Sequence, residues 1–480
     1  MTNRRNNASG VSVFSSHTYT FDALSRRETA AREDTTKWDY DYNDRSEVSA
    51  GKKLLSSGAP LAGTVSTYNY DAIGNRLTAT SGGGPATGSG SPADVGRSVT
   101  YVPNALNQYT AITQDQRSFD VIGRYSTATA SSPTVNSTVP YDQVVSSVTA
   151  GTVVTEQRQF RSSITAASSG NTAGNYENVN VQTSAGTVLE ASGLKWVPGT
   201  TVVPQYDHDG NLTQNGRWTY TWDAENRLIG AVRAASTSPA VAQMKVEFTY
   251  DGLSRRTEKK VSTLVVSAWV ETLRERTLYD GWNPIGTWRL QPADASHASP
   301  WWKLHQHYVW GPDVSGTAQG AGGVGGLAFI YDPGQLSGGW FPCYDGNGNV
   351  TALVSATTNG ATAALYDYDA FGKPTRLSGP AAKLNPFRFS TKFTDDETEL
   401  VYYGYRYYEP AIGRWLNKDP IGERGGLSVY SFFNNDLLDR IDGLGLEPIP
   451  PLHGLVPNAP KLYAELAETA QSTRAHLITT

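Results

Sequence analysis

One short unit recurs along this chain and limits what it can fold into. It reads Tyr19-Thr20-Phe21-Asp22-Ala23-Leu24-Ser25-Arg26-Arg27 near the start. It returns as Tyr68-Asn69-Tyr70-Asp71-Ala72-Ile73-Gly74-Asn75-Arg76-Leu77, Tyr220-Thr221-Trp222-Asp223-Ala224-Glu225-Asn226-Arg227-Leu228 and Phe248-Thr249-Tyr250-Asp251-Gly252-Leu253-Ser254-Arg255-Arg256. Looser copies stand at Tyr40-Asp41, Tyr206-Asp207, Tyr279-Asp280 and Tyr366-Asp367-Tyr368-Asp369. Aromatic residues two apart share one face of a strand. The Asp accepts from the backbone N–H two residues on, and Gly or Asn supplies the positive φ that closes the turn. Each unit therefore predicts a β-hairpin.

A lone hairpin is barely stable in water, so about ten of them must stack edge to edge and bury their aromatic faces jointly. An array of this kind accommodates 480 residues without several separate domains. Gly 47, Tyr 26 and Trp 12 against Met 2 suit turns and aromatic-faced strands rather than packed helices. Lys+Arg 40 against Asp+Glu 45, with no basic block to track a phosphate backbone, argues against a nucleic-acid partner. The single cysteine, Cys343, excludes an internal disulfide framework and reads as a small buried residue. No apolar stretch follows the polar Met1 to Asn7, and no run is long enough to span a membrane. The expected location is cytoplasmic, or outside by a route that reads no N-terminal signal.

The repeats resemble those of YD-repeat proteins, whose hairpins wind into a hollow β-shell, and the resemblance covers about two thirds of the chain. The stretch from Asn385 to Leu446 closely resembles the Rhs repeat-associated core of bacterial Rhs/YD-repeat proteins, including the C component of insecticidal Tc toxins. Its motifs are Asn385-Pro386-Phe387-Arg388-Phe389, Glu397-Thr398-Glu399-Leu400, Arg406-Tyr407-Tyr408-Glu409-Pro410, Gly413-Arg414-Trp415, Asp419-Pro420-Ile421-Gly422 and Asn434-Asn435. Within it, Phe387 to Phe389 and Val401 to Tyr408 alternate as strands, the second ended by Pro410. The expected fold is all-β: stacked YD hairpins forming part of a β-shell, closed by an Rhs core. The expected division is 1–300 repeats with a low-complexity insertion near 81–97, 301–446 core, and 447–480 tail. Residues 126–199 read as further strands without the YD signature.

The resemblance also implies a site. Family cores that cut themselves use two aspartates and an arginine, which fall here on Asp419, Asp442 and Arg406, with the cut after Leu446. Two carboxylates held close cannot both ionise cheaply, so one keeps a proton to polarise the carbonyl while the other activates water. Gly443 stands where the family has proline and is expected to loosen the backbone; Asp436 and Leu438 also depart from its pattern. The alternative assignment has both aspartates capping turns of the plug.

Other motifs are set aside. Gly320-Ala321-Gly322-Gly323-Val324-Gly325 fits G-x-G-x-x-G, but a strand rather than a helix is expected after it, so no cofactor is assigned. The string from Asp313 to Leu327 is instead similar to a glycine-rich signature preceding many Rhs cores. Asp345-Gly346-Asn347-Gly348-Asn349 reads as a hairpin turn, not a calcium loop. His305 and His307 share a strand face without a third ligand, and no metal is assigned. Pro460 to Ala475 offers one helix within a tail too short for a core of its own.

The expected function is a scaffold or encapsulation protein of the toxin-delivery type. The chain reads as a truncated or end-piece chain lacking an effector, with its own C-terminal peptide or other shell segments as partners. Self-cleavage is the only enzymatic activity implied. The alternative is a carbohydrate or cell-surface binding module built on Trp301, Trp302 and Trp310.

Overall fold

The computed structural model describes residues 2–7, 10–84, 96–129, 131–150, 153–166, 174–183, 188–237, 240–335, 338–357, 360–446 and 448–449. Most of the low-complexity insertion and the whole expected tail helix lie outside them. Among the described residues, strands dominate and the helical pieces are three short 3₁₀ turns.

The hairpins form as the repeat dictates. Asp223 Oδ1 accepts the N–H of Glu225 and of Arg227, both at 2.9 Å, while Oδ2 takes Arg227 Nε at 2.7 Å. Asp22, Asp71, Asp251 and Asp345 repeat the arrangement, the residue four on reaching back with Arg or Asn. The residue three on has positive φ, and serine serves as well as Gly or Asn: Ser25 lies at 61°, Gly74 at 92°, Asn226 at 58°. One looser copy is shifted: at Tyr40-Asp41 the turn residue is Asn43, accepting from Arg45 and Glu47, whereas in Tyr366-Asp367-Tyr368-Asp369 the last Asp caps the turn as the repeat requires. At Tyr279-Asp280 the turn is shorter, with Asp280 facing Asn283 directly.

Each hairpin also carries a bulge just before its second aromatic, as between Asn69 and Tyr70 or Thr249 and Tyr250. A bulge breaks the ladder locally and leaves a backbone group to be satisfied. The next hairpin satisfies it. Tyr70 donates to the carbonyl of Val48, which faces Tyr42; Tyr250 donates to Leu228, which faces Trp222; Tyr344 donates to Leu327, which faces Trp310. The same link recurs from Tyr42, Trp222, Tyr279, Trp310 and Tyr368. Proline stands in the aromatic's place at 103, and there Arg76 N–H donates to Tyr109 instead. The first aromatic of a pair is buried, as at Tyr68, Tyr220 and Phe248, and Tyr70, Trp222 and Tyr250 are half-buried against the core, on the packed face as expected.

The hairpins zip into two antiparallel sheets. The first has ten strands, from Thr2–Asn7 to Tyr109–Gln114 with Thr201–Val202 on its edge. The second has fourteen, from Gln205–Tyr206 to Pro374–Ser378. It crosses the expected boundary at residue 301 without a break. Residues 118–197 form two small three-stranded sheets between them in sequence.

The sheets meet through buried polar contacts. Asp367 pairs with Lys53 and, at 3.4 Å, with Arg32, and accepts from Trp38 Nε1 at 3.1 Å. Asp439 accepts the N–H of Arg27 across 412 positions of sequence. One apolar core combines Trp38, Tyr68 and Tyr109 with Tyr308, Trp340 and Tyr366 around Phe387, Tyr408 and Phe432. A second joins Trp218, Phe248 and Val261 to Leu400, Tyr407 and Leu416. The 385–446 segment is thus the plug against which both sheets pack.

Candidate active site

The plug places Arg406 by turning where an unbroken strand was expected. Val401–Tyr402 and Tyr407–Glu409 are two antiparallel strands, Val401 facing Tyr408 and Tyr402 facing Tyr407. Gly404, at φ 106°, makes the turn possible, and Tyr403 N–H closes it on the Arg406 carbonyl at 3.0 Å. Of Phe387 to Phe389, likewise expected as strand, Phe387 makes only an isolated β-bridge to Phe393, and Phe389 begins a 3₁₀ turn, Phe389–Thr391.

Arg406 then points inward, 3 % exposed, with its guanidinium carbon 4.1 Å from the centre of the Trp415 ring. Its Nη2 lies 2.8 Å from Asp419 Oδ2 and 3.9 Å from Asp442 Oδ2, so one cation joins both expected carboxylates. Asp442 is 2 % exposed and Asp419 9 %. Burial raises both carboxyl pKa values, and the Arg406 charge opposes that rise. Burial also pushes Arg406 down to about 10.

Each aspartate divides its oxygens between two tasks. Asp419 Oδ1 accepts Ile421 N–H at 3.0 Å, and Asp442 Oδ1 accepts the N–H groups of Leu444, Gly445 and Leu446 at 2.9, 2.6 and 3.3 Å. These are turn caps. Both Oδ2 atoms face Arg406, so capping and pairing coexist at each residue.

The segment leading to Leu446 is gripped along its length. The carbonyls of Gly443, Leu444 and Gly445 accept from Lys392 Nζ at 2.5 Å, Tyr405 N–H at 3.1 Å and Arg406 Nε at 2.6 Å. A Cβ on Gly425 would stand 2.5 Å from Asp419 Oδ2 and 3.4 Å from the Leu446 carbonyl oxygen, so both oxygens border that glycine. The expected looseness at Gly443 is not found. Its Cα faces the Ala321 and Gly322 backbone so closely that a Cβ would lie 3.0 Å away, and no side chain fits without a shift.

Lys392 escaped the sequence reading. It is buried among Tyr403 and other aromatics, donating to Gly322 and Gly443, and burial lowers it to about 8. Its partners are backbone carbonyls 70 and 51 positions away, which leave no local motif to find.

Elsewhere, a strand, Leu327–Tyr331, follows the glycine-rich stretch. Asp345 caps its hairpin turn through the N–H groups of Asn347 and Asn349, both at 2.9 Å. His305 and His307 lie on the Trp301–Trp310 strand, and burial lowers both. Burial raises the Cys343 thiol to about 12, away from thiolate chemistry.

The repeats and plug define an all-β YD-shell with a buried Arg–Asp centre. A family description, the teneurin YD-shell, matches residues 329–436. The chain is 28% identical over 242 residues to the tRNA3(Ser)-specific nuclease WapA of Bacillus spizizenii, covering 49% of this chain and 9% of that protein. It is 27% identical over 277 residues to Double-stranded DNA deaminase toxin A of Burkholderia cenocepacia, covering 55% and 18%. It is 46% identical over 54 residues to Toxin subunit YenC2 of Yersinia entomophaga, covering 11% and 6%. The crystal structure of TcdB2-TccC3 aligns with 91% of this chain and 20% of its own, at a TM-score of 0.39 and 16% identity. These matches and the repeats together support an Rhs/YD-repeat, toxin-like protein. The chain spans less than a fifth of the length of these relatives. Among the described residues, no helix is long and apolar enough to cross a membrane, which says nothing of β-barrels.

Proposed function

We propose that this chain is a scaffold segment of the toxin-delivery type, an end piece of a larger shell, and that its core cuts its own backbone after Leu446. The sheets and plug support the scaffold reading. So does the outer edge of Thr2–Asn7, which has no strand partner among the described residues and is the kind of edge that another hairpin of a longer shell would cover. The division into repeats to 300, core to 446 and tail from 447 belongs to the same proposal. The substrates named for WapA and the deaminase toxin belong to proteins that this chain matches only in small part.

The self-cleavage reading is carried by one observation: Arg406 joins Asp419 and Asp442 beside the Leu446 carbonyl. In this reading, the carboxylate of the pair that is ionised takes a proton from water as its oxygen attacks the Leu446 carbonyl carbon. The protonated carboxyl donates to the carbonyl oxygen. Collapse breaks the bond to the Glu447 nitrogen, which takes up a proton, and leaves a carboxyl on Leu446. The pair titrates as a unit, so neither role is assigned to one residue.

Intact mass of the purified full chain tests it. The expected result is a fragment ending at Leu446 and a peptide beginning at Glu447, both absent from Asp419→Asn. A wild-type chain still uncut after long incubation between about pH 4 and 8 overturns the reading.

No observation favours the carbohydrate-binding alternative. Trp310 is locked inward on Pro284, Trp301 stacks on His297 at 4.0 Å, and Trp302 lies under Arg276 at 4.2 Å.

A further inference from the structure

The glycine-rich loop between Trp310 and Leu327 lies against the plug at Gly443, the residue that follows Asp442. Asp313 shapes it, its Oδ2 accepting the N–H groups of Ala321 at 2.7 Å and Gly323 at 3.1 Å, and its Oδ1 that of Ser315 at 2.9 Å. The glycines are used for close approach. A Cβ at Gly322, which sits at φ 60°, would fall inside the Gly443 carbonyl, and one at Gly443 would press on the Ala321–Gly322 peptide. Ala321, Val324 and Ile441 form a small buried cluster of their own beside Val314. Lys392 ties the two segments together, donating to Gly322 at 2.6 Å and Gly443 at 2.5 Å.

We propose that Lys392 and the 313–326 loop form a clamp that positions Asp442 against Arg406, with Lys392 acting as a positioning residue through the Gly443 carbonyl. Its catalytic meaning rests on the self-cleavage reading above. The clamp does what a proline ring at 443 would do by covalent means: it fixes a backbone that glycine alone would leave free. Because Asp442 Oδ1 caps the three N–H groups that follow, a shift at Gly443 moves the carboxylate and the Leu446 carbonyl together. The groups facing Lys392 are Asp442 and Asp313, whose charges act on it, and the Tyr403 ring, 5.7 Å from Nζ.

Two measurements on the full chain separate the clamp from the chemistry. In the Asp419→Asn background, Lys392→Met should speed amide exchange at Leu444, Gly445 and Leu446 by about tenfold or more, the loss of a charge-assisted hydrogen bond, while the sheets exchange as before. In the otherwise wild-type chain the same change should slow cleavage by about tenfold and move the acid limb of its pH profile upward, because a cation near Asp442 is gone. Lys392→Arg, which keeps charge and donors, should recover part of the rate. Unchanged exchange at 444–446 in Lys392→Met overturns the clamp whatever the cleavage result. Faster exchange in a chain that never cuts leaves the clamp standing and removes the self-cleavage reading.

Discussion

The Tyr279 hydroxyl donates to the backbone carbonyl of Arg256 at 2.8 Å, and Arg256 is the residue that Tyr250 faces across the preceding hairpin. Tyr250 stands in the same relation to Leu228. Second aromatics that carry a donor, from Tyr42 to Tyr368, are thus bonded to the bulge of the hairpin before them, and the repeat is a chain of links as well as a stack.

Tyr279→Phe keeps the ring and removes the donor. The Arg256 carbonyl then loses its partner, at a cost of about 1–3 kcal/mol, to be read as a lower denaturant midpoint with unchanged slope. Phe21, whose ring carries no donor, offers the internal control: Phe21→Leu should cost less.

Asp223→Ala removes the cap on Glu225 and Arg227 N–H and should destabilise by about 1–2 kcal/mol in the same assay. Asp223→Asn should cost much less, because Asn43 and Asn104 already cap turns of this kind.

Glu409 predicts a pH effect. Burial raises its carboxyl from 4.5 to about 7, and its Oε2 has no hydrogen-bond partner among the described residues. Between the unfolded and folded pKa values the native state holds a proton that the unfolded chain has released. The contribution is therefore full below the unfolded value and is lost as pH rises through about 7. Glu409→Gln should raise the thermal midpoint at pH 8 by about 2–4 °C and change it little at pH 4.

Gly425→Ala tests the site by sterics alone. The added methyl would stand 2.5 Å from Asp419 Oδ2, so it should displace that carboxylate and stop self-cleavage while the strand circular dichroism is retained. Cleavage at the wild-type rate in a folded Gly425→Ala chain would count against Asp419 as part of the site.

The hairpins were legible because each is closed by residues within one turn: Asp71, Gly74 and Asn75 meet in sequence and in space. Burial of the aromatic face followed from period-2 spacing. The links between hairpins were not legible, since Tyr250 and Leu228 are 22 positions apart and the acceptor is a carbonyl that any residue carries. The partner of Asp367 was hidden for a related reason: it is the spacer in Tyr366-Asp367-Tyr368-Asp369, a strand residue that pairs with Lys53 from the other sheet. At the site, the resemblance brought Asp419, Asp442 and Arg406 to one place, whereas Lys392, bonded only to distant backbone, had no pattern to announce it.

The bond between Asp439 and Arg27 sets an order of events for the growing chain. Hairpins can zip as they leave the ribosome, each closing a short loop at small entropic cost. The sheets cannot be locked to the plug until the residues near 439 have been made, because the repeat at Arg27 waits for a partner 412 positions later. During that interval the inner aromatic faces stand open, so synthesis of the 385–446 segment is the step at which chaperone capture or misassembly would compete with closure.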